Sequence, residues 1–280
     1  MECKEFSLDN VRNCILSAIR KNETFLFNEL DLQMYVAEKL RKQFKCNIHF
    51  EYRLPDEWND DFQKGYEAWG ETPYFDLVLE DDGQFIAIEL KYKLKEVLYK
   101  KDHPFTRFGV SPSKGEFPLV TDHSAENEGR YDFWKDVKRL ELLTECFDNV
   151  KGGVAVFLTN QQRYTKETKG YKYSNFCFTD KNVSGFLYWK RQKCINGRSK
   201  CDGQCEGTPC GEKKKDIPKR YKGKDWNKKY QSYTRPNFRL NKQYNGVWLP
   251  EKENGDGKKG FKGGLDETFY CYHVTIPQSR

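Results

Sequence analysis

The stretch Phe75 to Lys91, "FDLVLEDDGQFIAIELK", decides how the rest of the chain is read. Apolar residues alternate on both sides of Asp82-Gly83, a pair whose backbone suits the centre of a two-residue hairpin turn. With that turn, residues facing each other have numbers that sum to 165, as 82 and 83 do. Alternation sends Leu77, Leu79, Ile86, Ile88 and Leu90 to one face, and Asp76, Val78, Ala87, Glu89 and Lys91 to the other. The first face reads as core. The second sets Asp76 against Glu89, with Lys91 two residues further along.

Outward from the hairpin, "LDNVRNCILSAI" over 8–19 places Val11, Ile15, Leu16 and Ile19 at helical spacing, and Phe25 to Phe44 continues as a second helix. Its stripe is Glu29, Leu32, Val36, Leu40 and Phe44, so Glu29 falls at the inner end of the face that meets a sheet. An acid in a first turn also complements the helix dipole without any other role. Residues 47–54 alternate Ile48, Phe50, Tyr52 and Leu54 as a strand, and an aromatic, acidic loop runs on to Thr72. After the hairpin, "RYDFWKDVKRLELLTECF" carries Phe133, Val137, Leu140, Leu143 and Phe147 on one helical face, with Lys135, Asp136, Lys138, Arg139 and Glu141 elsewhere. Strands follow at "GVAVFLTN", "GFLYWK" and "TFYCYHVTI". The order gives one α/β domain over 1–280, with a core at about 8–190 and 266–277 and a long insertion at about 191–265.

Two carboxylates facing each other across strands have Cβ atoms about 4.5–5.5 Å apart and repel, so the pair requires compensation. A hard divalent cation supplies it, because Mg²⁺ takes a few carboxylate oxygens, keeps several waters and leaves room for a phosphate. Lys91 then lies where it can orient a water or offset charge developing on phosphorus. Asp76, thirteen positions, then Glu89-Leu90-Lys91 on the next strand resembles the PD-(D/E)xK nuclease superfamily, although Tyr74-Phe75-Asp76 lacks the proline-aspartate pair and Pro73 is displaced. The resemblance covers about residues 25–160 and the last strand. It implies a restriction-endonuclease-like, Holliday-junction-resolvase-like α-β-β-β-α-β core, with a mixed central sheet flanked by helices. It also implies Mg²⁺ or Mn²⁺ held by Asp76, Glu89 and the Leu90 carbonyl, Lys91 as the residue that positions water, Glu29 as a helper, and a helix after the hairpin that lends polar groups.

The 280 residues are 32% charged and 37% hydrophobic, and no apolar run is long enough for a membrane span. The first twenty-odd residues carry acids where a secretory leader would have a basic head and an apolar stretch, so the expected compartment is the cytoplasm, where most of the 10 cysteines stay reduced. The net charge of +7 hides a division: Lys190 to Lys242 holds 17 Lys and Arg against 5 Asp and Glu, +12, which leaves −5 for the remainder. Cys194, Cys201, Cys205 and Cys210 fall within this segment. Four thiolates suit a structural Zn²⁺, but spacings of six, three and four residues differ from paired CxxC knuckles, and an iron–sulfur cluster or free thiols are the alternatives. Lys213, Lys214, Lys215, Lys219, Arg220, Lys222, Trp226 and Arg235 interleave with Tyr221, Tyr230, Tyr233, Phe238 and Tyr244. Bases neutralise phosphates and aromatics stack on unpaired nucleobases, so nucleic acid, DNA before RNA, is the expected partner, and a solvated insertion is the plainer reading. The histidines, His49, His103, His123 and His273, form no ligand spacing.

Three functions remain at this point. The first is a metal-dependent nuclease in defence or repair, as a homodimer if both strands of a duplex are cut. The second is a non-catalytic nucleic-acid-binding module on the same fold. The third is an interaction protein stabilised by zinc.

Overall fold

In the computed structural model the described residues are 3–54, 60–69, 72–99, 117–123, 125–166, 176–178, 182–187, 238–249 and 260–279. Among them, Ser7 caps α1 (Leu8–Arg20) by accepting from the Asn10 N–H, and Asn28 caps α2 (Glu29–Gln43) by accepting from the Asp31 N–H. The strands are β1 (Asn47–Arg53), β2 (Tyr74–Asp81) and β3 (Gln84–Lys93), with a short helix α3 (Asp60–Tyr66) in the span read as loop. Then come β4 (Val97–Tyr99), β5 (Phe117–Val120), α4 (Glu126–Cys146), β6 (Val150–Thr159), β7 (Asn182–Leu187), β8 (Phe238–Leu249), β9 (Phe261–Lys262) and β10 (Thr268–Pro277).

The main sheet has the order β1-β2-β3-β6-β10-β8-β7, with β9 also on β10, and it is mixed. β3 and β6 run parallel, joined by the α4 crossover, and the other neighbours are antiparallel. The hairpin register is the expected one, from Asp81↔Gln84 to Leu77↔Ile88, with Gly83 at φ 72 completing the turn. Helices cover both faces. Val11, Ile15 and Ile19 of α1 and Leu32, Val36 and Leu40 of α2 bury Leu77, Leu79, Ile86, Ile88 and Leu90 together with Val154 and Val156 of β6. On the other side α4 lays Phe133, Val137 and Leu140 over Val78, Ala87, Ala155 and Phe157. The hairpin's second face is therefore core as well as site, and only the end that bears Asp76, Glu89 and Lys91 is polar.

Three expectations change. The span 191–265 is not all insertion, because β8 belongs to the main sheet: Phe238, Leu240, Tyr244 and Trp248 are buried at even positions, and Gly246 lies where a Cβ would collide with the Tyr272 ring. Phe238 and Tyr244 are thus core residues, and neither is available to stack on nucleobases. In β1 the alternation breaks at Glu51, whose φ of 45 is left-handed, so Ile48 packs with the α1/α2 side, Tyr52 with the α4 side, and Phe50 is exposed. Among the described residues no helix is long and apolar enough to cross a membrane. The described cysteines, Cys3, Cys14, Cys46, Cys146, Cys177 and Cys271, are free thiols. The Cys194, Cys201, Cys205 and Cys210 quartet, and Lys213, Lys214, Lys215, Lys219, Arg220, Lys222, Trp226 and Arg235, lie outside the described residues.

His273 is buried in β10 with neither ring nitrogen hydrogen-bonded among the described residues, and burial, with the Arg12 charge added, pushes its pKa down from an ordinary 6.5 to about 4. Between those values the unfolded chain takes up a proton that the folded chain does not, so stability falls as pH drops through this window. The expected loss through this residue is roughly 3 kcal/mol, and His273→Leu removes it. Urea unfolding of both proteins at pH 7 and pH 4 measures the difference, and equal pH dependence in the two would contradict the assignment.

A candidate active site where two strands part

The β2–β3 ladder ends at Leu77↔Ile88. Beyond it β2 changes face, since Leu77 packs on the α1/α2 side and Phe75 on the α4 side, with the Arg139 guanidinium 5.5 Å from the Phe75 ring. The edge of β3 is left with N–H groups that no strand accepts, and side chains take them instead. Leu90 N–H donates to Asp76 Oδ2 at 2.6 Å, Tyr92 N–H to Glu29 Oε2 at 2.9 Å, and Leu94 N–H to His123 Nδ1 at 3.3 Å. Asp76 is therefore not simply stacked against Glu89 as alternation predicts. Its carboxylate caps the backbone of the next residue, and the Leu90 carbonyl shares that edge.

Odd-numbered β3 side chains point toward α4. Glu89 is buried, with Oε1 accepting from Arg139 Nε at 2.7 Å and in ion-pair contact with Arg139 Nη2 at 2.6 Å, and Arg139 Nη2 donates to Asp136 Oδ1 at 2.9 Å. Lys91 Nζ lies 3.3 Å from Asp136 Oδ2 and 3.4 Å from Glu29 Oε1. The four residues expected from sequence, Asp76, Glu89, Lys91 and Glu29, thus meet at one end of the hairpin. Asp136 and Arg139 of α4 join them, although the helical-stripe reading set both aside. No local signal marks them, because charged residues within a helix ordinarily lie on its solvated face. His123 caps the next turn of the same edge; His49 instead lies beside Glu80 at 2.9 Å on β1, away from this edge.

The electrostatics are unbalanced. Asp76, Glu89, Asp136 and Glu29 face Lys91 and Arg139, an excess of two negative charges when all are ionised. Burial pushes the Asp76 carboxyl up to about 7; Lys91 and the Leu90 N–H oppose the shift, and Asp136 and Glu29 reinforce it. Burial also raises Glu89, against the pull of Arg139, with Asp76 and Asp136 adding to the rise. Burial alone would lower Lys91, but Asp136, Glu29, Asp76 and Glu89 outweigh it and hold the ammonium well above its ordinary value. Lys91 is a permanent cation here.

Among the described residues no three His, Cys, Asp or Glu side chains converge closely enough to hold a metal by themselves. The groups present nonetheless fit a hard divalent ion of low protein coordination. Glu89 Oε2 is buried with no hydrogen-bond partner among the described residues, Asp76 adds a second hard oxygen donor, and the carboxylates outnumber the cations around them.

No family model, curated protein or solved structure matches this chain.

The raised Asp76 carboxyl has a consequence for stability. An unfolded aspartate loses its proton near 3.8 and the folded one near 7, so between these values rising pH favours the unfolded chain, and the full penalty applies above pH 7. With chelator present the wild type is expected to lose about 2–4 kcal/mol through this residue between pH 4 and pH 8, a pH dependence that Asp76→Asn lacks because its amide does not titrate, while the amide turns a donor toward the Leu90 N–H or the Gln33 amide at a cost independent of pH. Denaturant unfolding of both proteins at the two pH values checks it, and equal pH dependence in the two would contradict it.

Proposed function

We propose that the chain is a metal-dependent nuclease of the PD-(D/E)xK type that hydrolyses phosphodiester bonds of nucleic acid, with DNA as the favoured substrate. The observation that carries this reading is the meeting of Asp76, Glu89 and Lys91 at one end of the hairpin, with Glu89 Oε2 buried and unpartnered. The element order α2, β1, β2, β3, α4, β6, with β3 and β6 parallel, agrees with the restriction-endonuclease-like core that the sequence resembles.

Asp76, Glu89 and the Leu90 carbonyl would hold the ion, which when bound polarises the phosphodiester and neutralises charge that builds on it. The surrounding carboxylates hold Lys91 above its ordinary value in the metal-free site, which favours a hydrogen-bond-donating role. Its Nζ, fixed between Asp136 and Glu29, orients the attacking water or meets a phosphoryl oxygen as negative charge grows there. Asp136 holds both Lys91 and Arg139, and Glu29 fixes the β3 backbone at Tyr92 while steadying Lys91. Water attacks phosphorus and gives up a proton to solvent, the P–O ester bond breaks, and the leaving oxygen takes a proton from solvent. Cutting both strands of a duplex with one such site per chain calls for a homodimer.

Supercoiled plasmid and single-stranded DNA incubated with Mg²⁺ or Mn²⁺ test the proposal. The wild type is expected to cut at least one of them and to stop on adding chelator, and Asp76→Ala is expected to lose at least about 10²-fold in rate. Cleavage by Asp76→Ala at the wild-type rate would overturn the assignment. Binding of DNA without cleavage by the wild type would favour the non-catalytic module instead.

A further inference from the structure

The pairing of β1 with β2 runs from Asn47↔Glu80 to Phe50↔Leu77, resumes at Tyr52↔Phe75, and omits Glu51 and Asp76. By residue number Asp76 falls opposite Glu51 of β1, and the hairpin register would set it opposite Glu89 of β3, but neither pairing is formed. Carboxylates gathered at such a gap repel, and Glu51 also carries the left-handed φ of 45 that a side-chain-bearing residue adopts only at a cost. The side chain between them comes from α2. Gln33 Nε2 donates to Asp76 Oδ1 at 3.0 Å and to Glu51 Oε1 at 3.0 Å.

Gln33 is 3% exposed, on the helix face whose other buried members, Leu32, Val36, Ala37 and Leu40, are apolar. Its Oε1 is buried with no partner among the described residues, so of these contacts only those of its nitrogen orient the amide. Turning it over would set its oxygen against two carboxylates. Both oxygens of Asp76 are thereby held, Oδ1 by Gln33 and Oδ2 by the Leu90 N–H, and the strained Glu51 anchors the amide from the far side.

We infer that Gln33 and Glu51 are positioning residues for Asp76: Gln33 fixes the carboxylate's rotation, and Glu51 fixes Gln33. The inference rests on the nuclease reading for its consequence, since a carboxylate that holds a cation is itself oriented by outer hydrogen bonds, whose loss typically weakens metal binding about 10–100-fold. It has a consequence without metal as well. A freed Asp76 no longer protects the Leu90 amide, whereas the Tyr92 amide, held by Glu29, is unaffected.

The test uses Gln33→Met, which keeps length and removes both polar atoms, Glu51→Ala, and Glu51→Gln, whose amide oxygen still accepts from Gln33. Amide hydrogen exchange at Leu90 and Tyr92 is measured with chelator present, Mn²⁺ affinity by calorimetry, and thermal stability alongside. Expected are faster Leu90 exchange, by about tenfold or more, with Tyr92 unchanged, and Mn²⁺ binding about 10–100-fold weaker in Gln33→Met and Glu51→Ala, with Glu51→Gln close to wild type. Wild-type Leu90 exchange and Mn²⁺ affinity in Gln33→Met would overturn the inference, whatever happens to thermal stability. So would a Glu51→Gln variant as impaired as Glu51→Ala. If the wild type itself takes up no Mn²⁺, the nuclease reading falls, and the Leu90 exchange alone decides whether Gln33 positions Asp76.

Discussion

Lys91→Ala is expected to lower DNA cleavage by about 10²–10³-fold or more while leaving metal and DNA binding largely intact. The ammonium lies 3.3 Å from Asp136 and 3.4 Å from Glu29, so its removal takes a cation from a site that already carries excess negative charge. A divalent ion should then bind at least as well as in the wild type, because the remaining charge is more negative. What is lost is the donor that acts when charge accumulates on the phosphoryl group. Cleavage within tenfold of wild type, measured where circular dichroism shows the variant folded, would remove Lys91 from the chemistry.

Glu141→Ala is expected to produce the largest loss of stability. This carboxylate is fully buried on α4, and all its capacity is used: Oε1 accepts from the Asn241 N–H, the Lys242 N–H and the Tyr244 hydroxyl at 2.9 Å each, and Oε2 from Lys138 Nζ at 2.7 Å. Truncation leaves a buried ammonium and two backbone donors with no acceptor, a change that typically costs about 3–5 kcal/mol. The damage should be directional. β8 is the strand that Glu141 ties to α4, so exchange at Asn241 and Lys242 should rise before that of the β2–β3 hairpin. Chemical denaturation within about 1 kcal/mol of wild type would show the network to be dispensable.

The hairpin was legible because two independent signals agree there, a turn pair with the right backbone preference and a period-2 pattern on each side of it. Glu29 was legible for a similar reason, as the polar end of an otherwise apolar stripe. Asp136 and Arg139 were not, because charged residues inside a helix usually mark a solvated face, and nothing local says that these pair with each other and with a strand. Glu51 stayed hidden because its left-handed backbone breaks the alternation by which strand residues are assigned to faces. The strand β8 does alternate, with Phe238, Leu240, Tyr244 and Trp248 inward, but its basic neighbours and long separation from β7 made it read as part of an insertion. In each case the missing information was tertiary: which buried group waits on the other side.

The central claim is that the excess carboxylates at the parting of β2 and β3 are balanced by a divalent cation used to cut nucleic acid. The most direct test is calorimetric titration of Mg²⁺ and Mn²⁺ into the wild type and Glu89→Gln, a variant that keeps the shape of the side chain and loses its charge, with plasmid and single-stranded DNA cleavage assayed on the same samples. The account predicts saturable metal binding and cleavage in the wild type, both lost in Glu89→Gln. A wild type that binds neither ion, or a Glu89→Gln variant that binds and cuts like the wild type, would contradict it.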